Sequence, residues 1–237
     1  NVVAEIEADG GAAIANGANV AKFEEVEVMV GQAMDQWGRV DILVNNAGIL
    51  RDKSFNKVTL EDFQMVVDVH LMGTVNCTKA CWEIMRSQEY GRVVVTSSSS
   101  GLYGNFGQTN YGAAKLGVVG LMNTLVQEGA KYNIKVNGIA PGPFPTKGAW
   151  DRLVPAGFSK FINLKKRVPL KRFGEHQELA NLAAYLLSDY SAYMTGEVVT
   201  LDGGEWLYNA GQFNLLDKVP RAMWSLIEKT IRKKNKK

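Results

Sequence analysis

Two rhythms of apolar residues alternate along the chain. Short runs at Val40-Asp41-Ile42-Leu43-Val44, Arg92-Val93-Val94-Val95-Thr96 and Ile134-Lys135-Val136-Asn137 have the length and β-branched content of buried strands. Between and around them, Phe23 to Trp37, Thr59 to about Ser87, Asn110 to Tyr132 and Glu175 to Leu187 place their apolar residues at helical spacing. Thr59-Leu60-Glu61-Asp62 reads as a capping box at the head of the second helix. An opening helix at Val2-Val3-Ala4-Glu5-Ile6, a turn at Gly10 and Gly11, a short strand from Ala12 to Ala18, and a last strand from Glu197 to Leu201 before the turn Asp202-Gly203-Gly204 complete the pattern. Pro141-Gly142-Pro143-Phe144-Pro145 reads as a rigid loop, because proline neither continues a helix nor donates to an inner ladder. Strand and helix in alternation predict an α/β fold, a doubly wound parallel sheet covered on both faces with right-handed crossovers. Ligands of such sheets bind at the carboxyl ends of the strands, where Asn45-Asn46-Ala47-Gly48, Ser98 and Pro141-Gly142 all fall.

At 237 residues and 46% hydrophobic, with no linker dividing it, the chain is expected to form a single domain over residues 1–237. It opens on Asn1 inside what reads as a helix, and so is expected to lack a preceding segment. None of its apolar runs approaches the roughly 20 residues of a membrane span, and no secretory signal is visible, so no membrane partner is expected. The net charge is +3, but Lys229, Arg232, Lys233, Lys234, Lys236 and Lys237 crowd the carboxyl end and leave the body net acidic. That end reads as a solvated terminus, and no nucleic-acid partner is expected. Cys77 and Cys81, one helical turn apart on an apolar segment, read as reduced core thiols. With two histidines and no paired ligands, no metal site is expected. Near the end, Met223, Trp224, Ile227 and Ile231 form a helical stripe too apolar to hang free, expected to dock as a tail (205–237) on the protein's own body or on a second subunit.

Candidate chemistry centres on Tyr111 and Lys115, positions i and i+4 of a helix, thirteen residues past Ser98 at the end of the Arg92 to Thr96 strand. An ammonium beside a phenol favours the phenolate, and a phenol with an ordinary pKa of about 10 needs such help to act near neutral pH. A serine on the end of a strand can hold a substrate carbonyl from a fixed platform.

Asn45-Asn46-Ala47-Gly48, Ser98, Tyr111-x-x-x-Lys115, Asn137-x-x-x-Pro141-Gly142 and Asp202-Gly203-Gly204 together resemble the short-chain dehydrogenase/reductase family over nearly the whole chain. The resemblance implies a Rossmann-like fold, NAD or NADP as cofactor, and a homo-oligomer, dimer or tetramer. It makes Tyr111 the proton donor or acceptor, Ser98 the group that orients and polarises the carbonyl, and Lys115 both the support of Tyr111 and the holder of the nicotinamide ribose. By the same resemblance Asn45, Ala47 and Gly48 line the adenosine side, and Asn19-Val20 stands where many members carry an acid against the adenine. Pro141, Gly142, the Phe144 backbone and Thr146 flank the nicotinamide. His70 occupies a position where the family usually has an asparagine that bends the helix and anchors a relay water. A relay through the imidazole and a plain core histidine are both open. The family's opening strand and Thr-Gly-x-x-x-Gly-x-Gly turn, which cradle the pyrophosphate, have no counterpart from Asn1 onward, so the chain as it stands is expected to bind cofactor poorly.

Within the family, Asp41 to Pro141 resembles the 3-hydroxyacyl-CoA dehydrogenase part of peroxisomal multifunctional enzymes of type 2 and their bacterial relatives, through Asn45 to Asp52, His70 and Tyr103-Gly104-Asn105-Phe106-Gly107-Gln108. From Gly142 on, Thr146-Lys147-Gly148-Ala149, Asp202-Gly203-Gly204-Glu205 and the tail resemble 2,4-dienoyl-CoA reductases, which usually lack the tyrosine of the pair. Tyr111 therefore favours interconversion of 3-hydroxyacyl-CoA and 3-oxoacyl-CoA. Dienoyl-CoA reduction, 3-oxoacyl-ACP reduction and a non-catalytic dinucleotide-binding protein are the alternatives. Both resemblances imply an acyl-CoA substrate and make residues 147–172 a lid. There Lys147, Arg152, Lys160, Lys165, Lys166, Arg167, Lys171 and Arg172 face a single Asp151 and would attract the CoA phosphates, while Trp150, Leu153, Val154, Phe158, Phe161 and Ile162 would cover the acyl chain. A surface helix with a solvated basic face is the plainer reading. The family likeness implies a cytoplasmic protein in a bacterium and a mitochondrial or peroxisomal one in a eukaryote.

Overall fold

The computed structural model describes residues 2–145 and 164–234. By internal contacts they divide into two compact units, residues 1–144 with 175–201, and residues 145–174 with 202–237.

The first unit holds a four-stranded parallel sheet of β1 (Ile42–Asn45), β2 (Gly91–Thr96), β3 (Ile134–Pro141) and β4 (Val198–Leu201), in that order across the sheet. Side chains of a strand alternate between faces, and β2 shows this directly. Val93 and Val95 join Val26, Val30, Cys77, Cys81, Met85, Val118, Met122 and Ile134 in the larger core. The helices α2 (Phe23–Trp37), α4 (Gly73–Gln88) and α6 (Thr109–Gly129) supply that face. Val94 points the other way and packs with Ile139 and Leu186 under α7 (His176–Leu187). Both cysteines are free and buried in the larger core, and burial pushes the Cys81 thiol up to about 12.

Helix boundaries follow local chemistry. α2 ends at Gly38, whose φ of 70° allows the left-handed cap that returns its N–H to the Met34 carbonyl. Asn133, at φ 55°, turns the chain from the end of α6 into β3. At α3 (Leu60–Val67) the Thr59 side chain accepts from the Asp62 N–H, 3.1 Å, which is half of the expected capping box; the Asp62 carboxylate turns instead to Lys53, 2.8 Å away.

Four expectations are corrected. Residues 12–18 form no strand, because the Asn16 and Asn19 side chains accept from the N–H groups of Ala18 and Ala21 and fold the backbone into turns. The helix expected from Thr59 to Ser87 is broken by a π-turn over Asp68–Met72, between α3 and α4. β1 is only partly buried: Leu43 reaches the larger core, but on the opposite face Ile42 and Val44 are about half exposed, 49% and 48%. Pro141 is the last residue of β3 rather than part of the loop, paired with Leu201, because that position needs no donated hydrogen bond from it; the next N–H, of Gly142, donates to the Leu201 carbonyl.

In the second unit the turn Asp202-Gly203-Gly204 opens α8 (Glu205–Ala210), with the Asp202 carboxylate accepting from the N–H groups of Gly204 and Trp206, 2.8 and 2.9 Å. Both glycines have positive φ, and a Cβ on Gly203 would also press on Val168 at 2.7 Å. Of the expected lid, residues 147–163 lie outside the described residues; Leu164–Arg167 is a 3-10 turn. The expected apolar stripe lies on α9 (Arg221–Lys234), with Met223 and Ile231 about half exposed.

Candidate active site

β1, β2 and β3 run parallel and in register, so their carboxyl ends deliver Asn45 to Gly48, Thr96 to Ser98, and Pro141 with Gly142 to one edge of the sheet. Asn45 is buried and donates to the Thr78 hydroxyl, 3.1 Å, while the next residue, Asn46, accepts from Thr96 across the strand ends, also 3.1 Å. Asn137 anchors the same edge from inside β3, donating to the Met194 carbonyl and accepting from the Glu197 N–H. The backbone therefore fixes this rim before any catalytic side chain is placed.

Ser98 lies two residues past the end of β2 and caps the short helix α5 (Ser99–Tyr103), its hydroxyl accepting from the Ser100 N–H, 3.1 Å. Tyr111 lies in the first turns of α6, with Ser98 near enough to act on its phenol as a hydrogen-bond donor and lower it. Lys115, one turn on, is only 4% exposed, and its ammonium donates to the Thr96 carbonyl, 5.6 Å from the Tyr111 ring centre. Gly101 permits this approach, since a Cβ there would come within 2.8 Å of the Lys115 Cβ. Ser98, from the segment after β2, and Tyr111 and Lys115, from α6, are thus brought to the same sheet edge.

The electrostatics differ from expectation. Burial draws the Lys115 ammonium down to about 8, and burial likewise raises the Tyr111 phenol above its ordinary value, outweighing the hydrogen bond from Ser98 that lowers it; the Asp52 carboxylate raises it further. Lys115 spends its proton on the Thr96 carbonyl, and the phenol stays in its neutral, proton-donating form.

His70 sits in the π-turn, buried, with its ring edge-on to Tyr111 at 5.1 Å. A π-turn inserts one residue into a helix and is a recurrent feature of functional sites. The His70 Nε2 lies 3.0 Å from the Ile49 nitrogen and 2.8 Å from the Ile49 oxygen, its Nδ1 is buried without a partner, and the Thr74 hydroxyl donates to its carbonyl. Burial, with the nearby Lys115 charge second, lowers the imidazole to about 4, so it is neutral at physiological pH. Gly48 makes room for the ring, as any Cβ there would overlap the His70 Cε1.

The proposed cofactor residues divide into placed and unplaced. Asn19 and Val20 lie on the loop before α2, where the Asn76 amide donates to the Val20 carbonyl, 2.9 Å, and Gly73 abuts Val20. Asn19 lines a cavity of about 410 Å³ with Ala21, Gln64, Met65 and Asp68. Ala47 and Gly48 are exposed at the strand end, Pro141 closes β3, and Gly142 and Phe144 follow it. Thr146 lies outside the described residues. The strand-end rim and the buried Lys115 ammonium suit the nicotinamide and ribose part of a dinucleotide, and no pyrophosphate cradle lies among the described residues. Among the described residues no group of His, Cys, Asp and Glu could hold a metal ion, and no helix is long and apolar enough to cross a membrane.

Asp52 and Gln108 were quoted above only for their likeness to relatives, yet both lie in the site: Gln108 donates to Asp52, 2.7 Å, and accepts from Ser100, 2.8 Å. Their pairing spans 56 positions and leaves no local signature in the sequence.

A family profile described as enoyl-(acyl carrier protein) reductase matches residues 1–205. The chain is 42% identical over 204 residues to the 3-oxoacyl-[acyl-carrier-protein] reductase of Synechocystis, covering 86% of this chain and 80% of that one. It is 48% identical over 176 residues to the peroxisomal hydratase-dehydrogenase-epimerase of Saccharomyces cerevisiae, covering 74% of this chain. It is 54% identical over 140 residues to the peroxisomal multifunctional enzyme type 2 of Mus musculus, covering 59% of this chain. In each of these two multifunctional proteins the match spans 19% of the relative's length. Among solved structures, levodione reductase superposes with a TM-score of 0.78 at 35% identity, covering 84% of this chain and 80% of that one. A profile match of this extent, together with a reductase aligned over four fifths of its own length, places the chain in the short-chain dehydrogenase/reductase family, whose members are nicotinamide-dependent oxidoreductases.

Proposed function

We propose that the protein interconverts 3-oxoacyl-CoA and 3-hydroxyacyl-CoA, and that Ser98, Tyr111, Lys115 and His70 carry the chemistry. The observation that supports this most is the Tyr111 phenol, beside the buried ammonium of Lys115 with Ser98 buried near it, and kept neutral by burial. When bound, the nicotinamide supplies or takes up the hydride at the substrate's third carbon. Ser98 then donates to the 3-oxo oxygen and Tyr111 passes its proton to it as the C–O double bond becomes a single bond; oxidation runs the same path in reverse. The phenolate left behind is stabilised by the Lys115 ammonium and regains its proton from solvent along the buried polar groups near His70.

Lys115 is the residue to hold the nicotinamide ribose, with Pro141, Gly142, Phe144 and Thr146 toward the nicotinamide and Asn45, Ala47, Gly48, Asn19 and Val20 toward the adenosine. The coenzyme is NAD or NADP. Residues 147–172 act as the substrate lid and 205–237 as the docking tail of one catalytic domain working in a homo-oligomer, dimeric or tetrameric. Its compartment is the cytoplasm in a bacterium and the mitochondrion or peroxisome in a eukaryote.

A second reading, the same reaction on an acyl chain carried by acyl carrier protein, draws on the Synechocystis relative; it changes the carrier and not the catalytic residues. The test of the catalytic assignment is Tyr111→Phe, which keeps the ring against His70 and deletes the proton donor. Turnover should fall by at least about 100-fold with circular dichroism and thermal unfolding unchanged. Substantial residual turnover in a folded variant overturns the assignment.

A further inference from the structure

Asp52 lies on the loop after β1 and has no part in the chemistry above, yet it is tied into the site on several sides. Its Oδ2 accepts from the Gln108 Nε2 at 2.7 Å. Gln108 is buried, and its own oxygen is taken by the Ser100 hydroxyl, 2.8 Å, and the Asn105 amide, 3.1 Å, so the amide has one orientation. The Ser100 N–H in turn donates to the Ser98 hydroxyl oxygen, 3.1 Å. Three hydrogen bonds therefore lead from the Asp52 carboxylate to the serine that meets Tyr111. The loop is also clamped beside α6, through a one-residue bridge between Lys53 and Gln108 and through the Asn110 amide on the Arg51 carbonyl, 3.2 Å.

The charge of Asp52 is left standing. Its sequence neighbours Arg51 and Lys53 turn to Asp62 on α3, at 3.6 and 2.8 Å, and its Oδ1 is buried with no hydrogen-bond partner. An unpartnered buried oxygen on a carboxylate is costly and calls for an explanation. Tyr111 meets the Lys115 ammonium and the His70 ring, while the Asp52 loop is clamped beside the start of the same helix and the Asp52 charge acts on the phenol. His70 is neutral, so it adds no charge of its own, and the charge seen to act on the phenol is that of Asp52.

We propose that Asp52 is a positioning residue, which holds the Ser98 platform through Gln108 and Ser100 and sets a negative charge against the Lys115 ammonium so that Tyr111 enters the reaction as a proton donor. It rests on the reading of Tyr111 as the acid. Burial raises the Asp52 carboxyl while the Gln108 bond opposes, and the field of Asp52 raises Tyr111, which is the direction the proposal requires.

The test is the titration of Tyr111 itself, read as phenolate absorbance in the ultraviolet by subtracting the Tyr111→Phe protein, with circular dichroism following the fold over the same pH range. Neither substrate nor cofactor is present. Asp52→Asn preserves shape and removes the charge, and should move the Tyr111 transition down by roughly half a pH unit or more. In activity, the acidic limb of kcat/KM for 3-hydroxyacyl-CoA oxidation should move down with it. An unmoved or raised transition overturns the proposal. Asp52→Ser, a second uncharged side chain, serves if Asp52→Asn does not fold and must show the same downward movement. Should neither fold, the carboxylate is structural only and the proposal fails. If the protein does not act on 3-oxoacyl-CoA, the titration still reads the Asp52 effect; if it does act and the titration is unmoved, the Asp52 role alone is lost.

Discussion

At the scale of single residues the site is governed by burial rather than by charge pairing. Tyr111, Lys115 and His70 all titrate away from their ordinary values with desolvation as the first cause, each toward its neutral form. For His70 this has a consequence for stability. Its imidazole falls from 6.5 to about 4 on folding, so between those values the unfolded chain holds a proton that the native protein refuses. Stability is unaffected above pH 6.5 and is lost as pH falls toward 4, by roughly 3 kcal/mol at one kcal-scale step of 1.36 per pKa unit. His70→Asn, whose amide can meet both the N–H and the carbonyl of Ile49, should remove this step. Urea midpoints measured between pH 7 and pH 4, at the ~1 kcal/mol resolution of such curves, should fall less in the variant; equal falls in both proteins contradict a neutral buried His70. Ser98, Tyr111 and Lys115 were legible in the sequence because their spacing is local to one strand end and one helix turn. Asp52 and Gln108 were not, because a carboxylate 56 positions from its amide announces nothing until the chain has folded. The direction of the Tyr111 shift is hidden in the sequence for a related reason: adjacency of an ammonium is visible there, and the depth at which both groups lie is not.

At the scale of elements, periodicity sufficed wherever one segment decides its own fate. α2 runs from Phe23 to Trp37 as its apolar spacing and Gly38 require, and β2 alternates its valines between two cores. It failed where a segment depends on partners. The apolar run at residues 12–18 has no paired strand among the described residues, and Asn16 within it and Asn19 just after it turn the backbone locally. The π-turn that carries His70 was invisible for the opposite reason, since the helical pattern continues through it. α3 leads into that turn and is opened by the Thr59 cap. Thr59→Ala should therefore cost about 1 kcal/mol in denaturant unfolding, and Thr59→Ser much less. An alanine variant as stable as the parent would mean that the bond from Asp62 to the Thr59 oxygen contributes nothing.

At the scale of the whole molecule, a parallel sheet gathers residues from three distant stretches of chain to the rim where Asn45, Ser98 and Pro141 lie. The family follows from that arrangement and from the relatives together; the substrate rests on the chemistry of Tyr111. The direct measurement is oxidation of NADH and NADPH by the protein with a short 3-oxoacyl-CoA and a 2,4-dienoyl-CoA assayed side by side. The account predicts turnover of the 3-oxoacyl-CoA that disappears in Tyr111→Phe. Turnover of the dienoyl-CoA alone, unaffected by Tyr111→Phe, would contradict it.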